Sequence, residues 1–226
     1  MSPPLKLVVF DVDGTLVDSQ DLIVAAQRET FRAHGMTPPS RERSLSIVGL
    51  SLVQAFRVLA PDGPAESLAA GYKVAFQKLR QDPSYREPVF PGAAELLAEL
   101  GRRDDVVLGI ATGKSRRGVA HLVERHGWHD IFATIQTADD APSKPHPAML
   151  EQALAETGAD ARASVMVGDS TFDMIMARAA GIGAVGVSWG YHRPEALREA
   201  GAETIVSSYA ELRAHLHATL LAPSLV

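Results

Sequence analysis

The sequence feature that most constrains the fold is a strand-like apolar run that ends in two aspartates. Residues 5–10 read Leu-Lys-Leu-Val-Val-Phe, which is typical of a strand covered on both faces of a parallel sheet. Asp11 and Asp13 follow directly, and Gly14 can adopt backbone angles that other residues avoid. Carboxylates are costly inside a core unless they are paired or bound to metal, and open α/β sheets hold ligands at the carboxyl ends of their strands. The turn is therefore either a helix-capping turn or part of a ligand site.

The composition is that of an ordinary globular protein and excludes several function classes. The 226 residues are 46% hydrophobic and 22% charged, which suits one large domain or a core with a modest insertion. A formal net charge of −5 argues against nucleic acid as a partner, and the absence of cysteine excludes disulfides, thiol nucleophiles and Cys-ligated zinc. No apolar stretch is long enough to span a bilayer, so we expect no membrane partner and a cytoplasmic location. A monomer and a homodimer both remain open.

Periodicity and Gly/Pro punctuation divide the chain into a helical segment and an alternating one. Residues 18–87 show helical patterns and no convincing strand, and Ser19 is predicted to cap the first helix. From Pro91 onwards strands alternate with helices, and strands are predicted at residues 106–110, 131–135, 164–167 and 183–187. This pattern predicts an α/β fold, a doubly wound (Rossmann-like) parallel sheet core formed by residues 1–17 and 88–226. Residues 18–87 are predicted to be an inserted all-helical module.

Polar residues recur where the predicted strands end or the following helices begin. They are Asp11, Asp13, Thr112, Lys144, Asp169 and Asp173. In a parallel sheet all strand carboxyl ends lie on one edge, so these distant residues are expected to converge. A lone Asp after a strand usually caps a helix and a lone Lys is usually solvated, but several such residues at one edge indicate a shared site.

Three motif-like stretches lie in the wrong context for the function that their letters suggest. Residues 181–186 match a dinucleotide fingerprint, but a helix precedes them and a strand runs through them, the reverse of what the fingerprint requires. Residues 113–115 resemble a P-loop whose first glycine would fall at Leu108. Residues 11–14 lack the later ligands of a calcium-binding loop. These three functions are disfavoured.

The converging carboxylates suit a hard divalent cation, most naturally Mg²⁺, because no thiol or histidine accompanies them. Asp11 and Asp169 are the natural direct ligands. Asp173 lies four residues after Asp169, so the two share one face if the helix begins there. Asp173 could then act through water or hold Lys144.

The remaining polar groups suit phosphoryl transfer. Thr112, the Gly113 amide and Lys144 can supply donors and positive charge to phosphate oxygens. An aspartate can act as the nucleophile and form an aspartyl-phosphate. The aspartate two residues further on can protonate the leaving alcohol and later activate water.

Four motifs occur in a fixed order along most of the chain. They are Asp-Val-Asp-Gly-Thr at 11–15, Ala-Thr-Gly-Lys at 111–114, Ser-Lys-Pro at 143–145 and Gly-Asp-Ser-Thr-Phe-Asp at 168–173. The ordered set resembles the haloacid dehalogenase superfamily on its phosphatase side and is similar to phosphoglycolate phosphatases. Each motif is moderately specific, whereas the set is highly specific.

The resemblance implies a role for each residue of these motifs. Asp11 would be the nucleophile and a metal ligand, and Asp13 the acid/base whose backbone carbonyl also binds Mg²⁺. Thr112 and Lys144 would contact phosphate. Asp169 would be a direct metal ligand, with Asp173 supporting the site from behind.

The resemblance also implies that the helical module is a mobile cap domain over the site. Within it, residues 47–51 around Gly49 resemble the loop that meets substrate in relatives, and a plain interhelical turn is the alternative. Dehalogenases of the family lack the second aspartate, so Asp13 argues against carbon–halogen hydrolysis. Sugar-phosphate mutases keep both aspartates, but residues 14–19, Gly-Thr-Leu-Val-Asp-Ser, look like the phosphatases.

We therefore predict a Mg²⁺-dependent phosphatase that hydrolyses a small phosphorylated metabolite through an aspartyl-phosphate. The substrate would be phosphoglycolate-like or a sugar phosphate. The alternatives are a sugar-phosphate mutase and a catalytically silent binding module on the same fold.

Overall fold

Residues 5–221 are described by a computed structural model, and parallel strands form the centre of their fold. The strands are β1 (Lys6–Phe10), β2 (Val106–Ala111), β3 (Phe132–Gln136), β4 (Ser164–Gly168), β5 (Gly183–Val187) and β6 (Thr204–Val206). They form one parallel sheet in the order β3-β2-β1-β4-β5-β6. The chain moves outward from β1 on one side and then returns to build the other side, which confirms the predicted doubly wound, Rossmann-like arrangement.

Strand β1 is the centre of the sheet and is covered on both faces. It pairs with β2 on one side and β4 on the other. Val8 and Phe10 pack into one apolar cluster of the core, whereas Leu7 and Val9 pack into another. Because successive side chains of a strand point to opposite faces, two covered faces explain the nearly continuous apolar run.

Helices cover the sheet and form the inserted segment. They are α1 (Gln20–Ala33), α2 (Arg41–Leu45), α3 (Leu52–Leu59), α4 (Ala65–Leu79), α5 (Ala93–Leu100), α6 (Arg116–His126), α7 (Ala148–Thr157), α8 (Thr171–Ala179), α9 (Pro194–Glu199) and α10 (Tyr209–Thr219). A 3₁₀ turn, Ala161–Ala163, precedes β4. Within residues 5–221, none of these helices has the length and apolar character needed to cross a bilayer.

Helices α1 to α4 bury their apolar side chains against one another. Phe31, Phe56 and Tyr72 belong to an apolar cluster made of residues from this segment, and neighbouring rings lie about 6 Å apart (6.0 Å and 5.8 Å between centroids). The chain enters and leaves the segment side by side, since the Asp18 amide donates to the Pro88 carbonyl (2.8 Å). The boundaries of the predicted cap, residues 18–87, and core, residues 1–17 and 88–226, stay a prediction.

The structure differs from the sequence prediction at three short elements and at one cap. Helices α2 and α9 and strand β6 contain five, six and three residues, too few for a periodic pattern to be visible. Ser19 occupies the predicted N-cap position of α1, but its side chain makes no capping bond there. Its hydroxyl donates instead to Asp13 Oδ1 (2.5 Å), which needs a donor because it is buried.

Candidate active site

The predicted site residues converge at the carboxyl edge of the sheet. Asp11, Thr112 and Asp169 immediately follow β1, β2 and β4, which are neighbours in the sheet. Backbone pairing continues one residue beyond two of these strands. The Asp11 amide donates to the Val167 carbonyl (2.9 Å) and the Thr112 amide to the Gln136 carbonyl (3.0 Å). The backbone at Asp11 and Thr112 is therefore held in place by the hydrogen bonds of the sheet.

Three buried carboxylates and one buried ammonium form the centre of the site. Asp11, Asp169 and Asp173 each place one oxygen within 4.8 Å of the others. Lys144 Nζ lies 2.9 Å from Asp11 Oδ1 and 2.6 Å from Asp173 Oδ1, and its side chain is fully buried. The contact with Asp173 is one of the two roles that the sequence left open for that residue. The cluster contains three acidic groups and one basic group.

Burial sets the ionisation of this cluster. It raises the pKa of Asp11 to about 7, even though the Lys144 ammonium acts in the opposite direction. Burial and the neighbouring Asp11 charge hold the pKa of Asp169 well above its ordinary value. Burial alone would lower the pKa of Lys144, but the Asp11 and Asp173 carboxylates raise it above its usual range. Lys144 is therefore an ammonium, and the carboxylates lack a second counter-charge.

This charge arrangement fits a divalent cation. Asp11 Oδ2 is buried and has no hydrogen-bond partner among residues 5–221. The cluster offers only oxygen ligands, which is the donor set that Mg²⁺ prefers. A bound dication would balance the excess negative charge and give Asp11 Oδ2 a partner.

Asp169 is held by a tight backbone environment. The Tyr191 amide donates to Asp169 Oδ2 (2.7 Å) and the Thr15 hydroxyl to Asp169 Oδ1 (3.2 Å). Gly14 has a positive φ of +84°, and a Cβ at this position would overlap the Asp169 carboxylate. The glycine after the two aspartates is thus required both by its backbone angle and by the close approach of Asp169.

Asp13 lies in surroundings of its own, distinct from those of Asp11. Its Oδ1 accepts from the Ser19 hydroxyl and forms an ion pair with Lys114 Nζ (2.9 Å). Lys114 also pairs with Glu87 (3.2 Å), which in turn pairs with Arg80 (3.1 Å). Burial alone would lower the pKa of Lys114, but the Asp13 and Glu87 carboxylates raise it. This buried network connects Asp13 to the C-terminal end of α4.

The loop around Gly49 lies against the core beside Thr112. A Cβ on Gly113 would be only 2.5 Å from the carbonyl oxygens of Gly49 and Leu50. The Ser51 amide donates to the Ser143 hydroxyl (2.8 Å), on the loop that carries Lys144. The helical segment is therefore docked on the sheet edge.

One cavity connects the docked segment with the carboxyl edge of the sheet. Asp11, Asp13, Thr112, Gly113 and Gly49 are among the residues that line it. The lining does not include Lys144, which lies against Asp11 and Asp173. The structure thus brings the predicted residues together but does not expose Lys144 to the cavity.

Several members of the site carry no sequence signal of their own. The motifs assign no role to Lys114, Glu87 is predicted only as the last residue of the cap, and no motif includes residues 188–192. Tyr191 supplies the amide that holds Asp169, and its hydroxyl accepts from the Ser19 amide (3.0 Å). The available signal was that residues 188–192 follow a predicted strand at the edge where the other polar residues gather.

Comparison with known proteins identifies the family. A family model described as haloacid dehalogenase-like hydrolase matches residues 8–187. The chain belongs to the haloacid dehalogenase-like hydrolases. It is 38% identical over 221 residues to a probable phosphatase, IndB, of Dickeya dadantii, across 95% of this chain and 94% of the relative. It is 37% identical over 218 residues to a phosphoglycolate phosphatase of Chromobacterium violaceum, across 92% of this chain and 95% of the relative.

A solved structure agrees with this assignment. The crystal structure of a hydrolase from Pseudomonas syringae superposes with a TM-score of 0.81 at 28% identity, across 94% of this chain and 98% of the other. The resemblance predicted from the four ordered motifs is confirmed, as is the fold class. This haloacid dehalogenase-like hydrolase is accordingly an enzyme of the phosphatase class.

Proposed function

We propose that the chain is a Mg²⁺-dependent phosphatase that hydrolyses a small phosphorylated metabolite through an aspartyl-phosphate on Asp11. The observation that supports this most directly is the state of the Asp11 carboxylate. It is buried among acidic groups, one of its oxygens is unpaired, and it lines the cavity beneath the docked segment. A carboxylate in this position is available to a phosphoryl group and to a metal ion at once.

The residues around the cluster would have different roles in binding the ion. Asp11 and Asp169 would bind Mg²⁺ through their side chains, and Asp13 through its backbone carbonyl. Asp173, which pairs with Lys144, keeps that ammonium beside Asp11. When bound, the ion supplies positive charge that offsets the carboxylates and the phosphate oxygens.

The chain's own residues would carry the two chemical steps. One Asp11 oxygen attacks phosphorus, the bond from phosphorus to the alcohol oxygen breaks, and Asp13 protonates that oxygen. Asp13 then accepts a proton from water, whose oxygen attacks the phosphorus of the aspartyl-phosphate. Inorganic phosphate leaves and the Asp11 carboxylate is regenerated. The Thr112 hydroxyl and the Gly113 amide would donate to the phosphoryl oxygens throughout.

Access of water favours hydrolysis over transfer back to a sugar. The cavity that reaches Asp11 is also lined by Arg117, His121 and Arg125, which are exposed side chains on α6. The cavity therefore opens to solvent beside this helix even with the helical segment docked. A mutase has to exclude water from its phospho-enzyme. Because this opening admits water, it favours hydrolysis over a mutase reaction.

Phosphate release in the presence and absence of metal tests the proposal. The protein is incubated with p-nitrophenyl phosphate, phosphoglycolate and a sugar 1-phosphate, in Mg²⁺ or in excess EDTA, and inorganic phosphate is measured. We expect release in Mg²⁺, loss of release in EDTA and recovery when Mg²⁺ is restored. Conversion of the sugar 1-phosphate to an isomer without phosphate release would indicate a mutase. No reaction with any compound would indicate a silent binding module.

The contact between Gly113 and the Gly49 loop gives a second prediction. Gly113→Ala is expected to lower kcat/KM for p-nitrophenyl phosphate by roughly 10²-fold, the usual cost of displacing a catalytic arrangement by about 1 Å. The added methyl would lie 2.5 Å from two backbone carbonyl oxygens, so the loop of residues 49–51 has to move outward.

A glycine in the sheet provides the matched control. Gly183→Ala in β5 adds a methyl whose nearest neighbour is 3.4 Å away, an ordinary contact. We expect this variant to keep its activity and its thermal midpoint. Wild-type kcat/KM in Gly113→Ala would mean that docking of the Gly49 loop is not needed for turnover.

A further inference from the structure

We propose that the natural substrate is a phosphomonoester whose alcohol carries a bulky, largely apolar, ring-containing group, rather than a two-carbon acid such as glycolate. The inference rests on the proposed phosphatase function and specifies its substrate class. It is drawn from the size and lining of the cavity that remains above Asp11 when the helical segment is docked.

The cavity is much larger than a small phosphorylated acid requires. Its volume is about 630 Å³, in the range of sites for drug-sized ligands. At about 30 Å³ per molecule, that volume corresponds to roughly 20 waters. The space is measured with the Gly49 loop already against Gly113, so closure of that contact does not remove it. A two-carbon group would leave most of the cavity filled with water.

The wall opposite the carboxyl edge is apolar and aromatic. It is formed by residues of α1, α3, α4 and the loop before α3, which include Ile23, Val48, Leu52, Phe56, Tyr72 and Phe76. The three aromatic rings form a row, with centroids 5.8 Å apart for Phe56 and Tyr72 and 5.5 Å apart for Tyr72 and Phe76. Phe56 and Tyr72 are themselves almost fully buried, so the surface offered to a bound ring comes mainly from the partly exposed Phe76 and Leu52. These side chains would stabilise an apolar ring by burying its surface and, at Phe76, by edge or offset contacts between rings.

The basic groups of the cavity are either paired with carboxylates or exposed to solvent. Arg80 and Lys114 line the cavity, but they are paired with Glu87 and Asp13. Lys73, Arg117 and Arg125 also line it and are exposed, so they attract the phosphate dianion that all these substrates share, and solvent screens their attraction for a further carboxylate. Discrimination between organic groups of different bulk therefore comes from the apolar wall.

Two alkyl phosphates that differ only in bulk test the inference. Ethyl phosphate and 2-(2-naphthyl)ethyl phosphate both release a primary alcohol, so their leaving groups are chemically similar. We expect kcat/KM in Mg²⁺ to be on the order of 10²-fold higher for the naphthyl compound, because its ring is buried against the wall in the transition state. Phosphoglycolate is measured beside them and is expected to react no faster than ethyl phosphate.

Two leucines of the same apolar cluster provide the variant and its control. Leu52 lines the cavity, whereas Leu45 does not, and both are half-buried. Leu52→Gln is expected to reduce the ratio of the two kcat/KM values at least tenfold. Leu45→Gln is expected to leave the ratio unchanged, which separates loss of the wall from general loosening of the helices.

The possible results distinguish the inference from the function on which it rests. If ethyl phosphate or phosphoglycolate reacts as well as the naphthyl compound, the inference is wrong and the phosphatase function stands. If Leu52→Gln and Leu45→Gln change the ratio equally, the preference does not come from the cavity wall and the inference is again wrong. If none of the three compounds releases phosphate but p-nitrophenyl phosphate does, the inference is wrong and the phosphatase function stands. If p-nitrophenyl phosphate and the sugar 1-phosphate release none either, the proposed function itself is wrong.

Discussion

Replacing Asp11 by Asn is expected to abolish phosphate release while the protein remains folded. The amide is nearly the same size as the carboxylate but is a poor nucleophile, so the first step cannot proceed. Loss of a catalytic nucleophile costs roughly 10⁴-fold or more in kcat. Folding should not suffer, because the change removes one of three mutually repelling buried carboxylates. Both quantities are measurable on one sample, by phosphate release and by urea unfolding in EDTA.

Asp18→Asn is the matched control for this experiment. Asp18 lies in the same connection between β1 and α1, but its carboxylate accepts its hydrogen bonds from Gln20, the first residue of α1 (3.0 Å and 3.3 Å). We expect phosphate release within about twofold of wild type, since the substitution does not touch the carboxylate cluster. Substantial activity in Asp11→Asn, with normal unfolding, would contradict covalent catalysis by Asp11.

Replacing Lys144 by Met is expected to lower the free energy of unfolding by about 3–5 kcal/mol in EDTA. The Lys144 ammonium is fully buried between Asp11 and Asp173, at 2.9 Å and 2.6 Å. Methionine fills a similar volume but leaves three buried carboxylates without a counter-ion. Urea unfolding measures the loss, and added Mg²⁺ should restore part of it by binding the same carboxylates.

Lys6→Met shows what an ordinary ion pair contributes. Lys6 pairs with Asp105 at 2.8 Å, but both side chains are partly exposed. The expected loss is below about 1 kcal/mol, since solvent screens the pair. Equal losses in the two variants would mean that the buried carboxylates do not depend on Lys144 for their charge balance.

The sheet and the acidic cluster were predictable because local patterns and topology determine them. The apolar run before Asp11 identifies a strand covered on both faces, and the strand–helix alternation from Pro91 onwards identifies a parallel sheet. Once the sheet is parallel, residues that follow its strands meet at one edge. Asp11 and Asp169 are therefore neighbours although 158 positions separate them.

The surroundings of Asp13 were not predictable by the same reasoning. Lys114 reaches Asp13 and Glu87 through side-chain contacts that span long stretches of sequence, and no periodicity marks them. Ser19 has the residue type of a helix cap and occupies the N-cap position of α1, but its hydroxyl donates to Asp13 and not to the backbone of the helix. The need of the buried Asp13 carboxylate for a hydrogen-bond donor outweighed the preference of the Ser19 side chain for capping the helix.

The chain enters and leaves the helical segment through two hydrogen-bonded stretches, and this affects which parts of the sequence can change in evolution. The Asp18 amide bonds the Pro88 carbonyl and the Phe90 amide bonds the Leu16 carbonyl, at 2.8 Å and 3.0 Å. The chain therefore enters and leaves this segment at one short junction, and no strand of the sheet lies inside it. Mutation can therefore reshape the parts of this segment that do not contact Asp13 or Gly113 without changing the strand order of the sheet. If the proposed function holds, the side chains of this segment that face the leaving group can vary while the strands that carry Asp11, Thr112 and Asp169 stay in place.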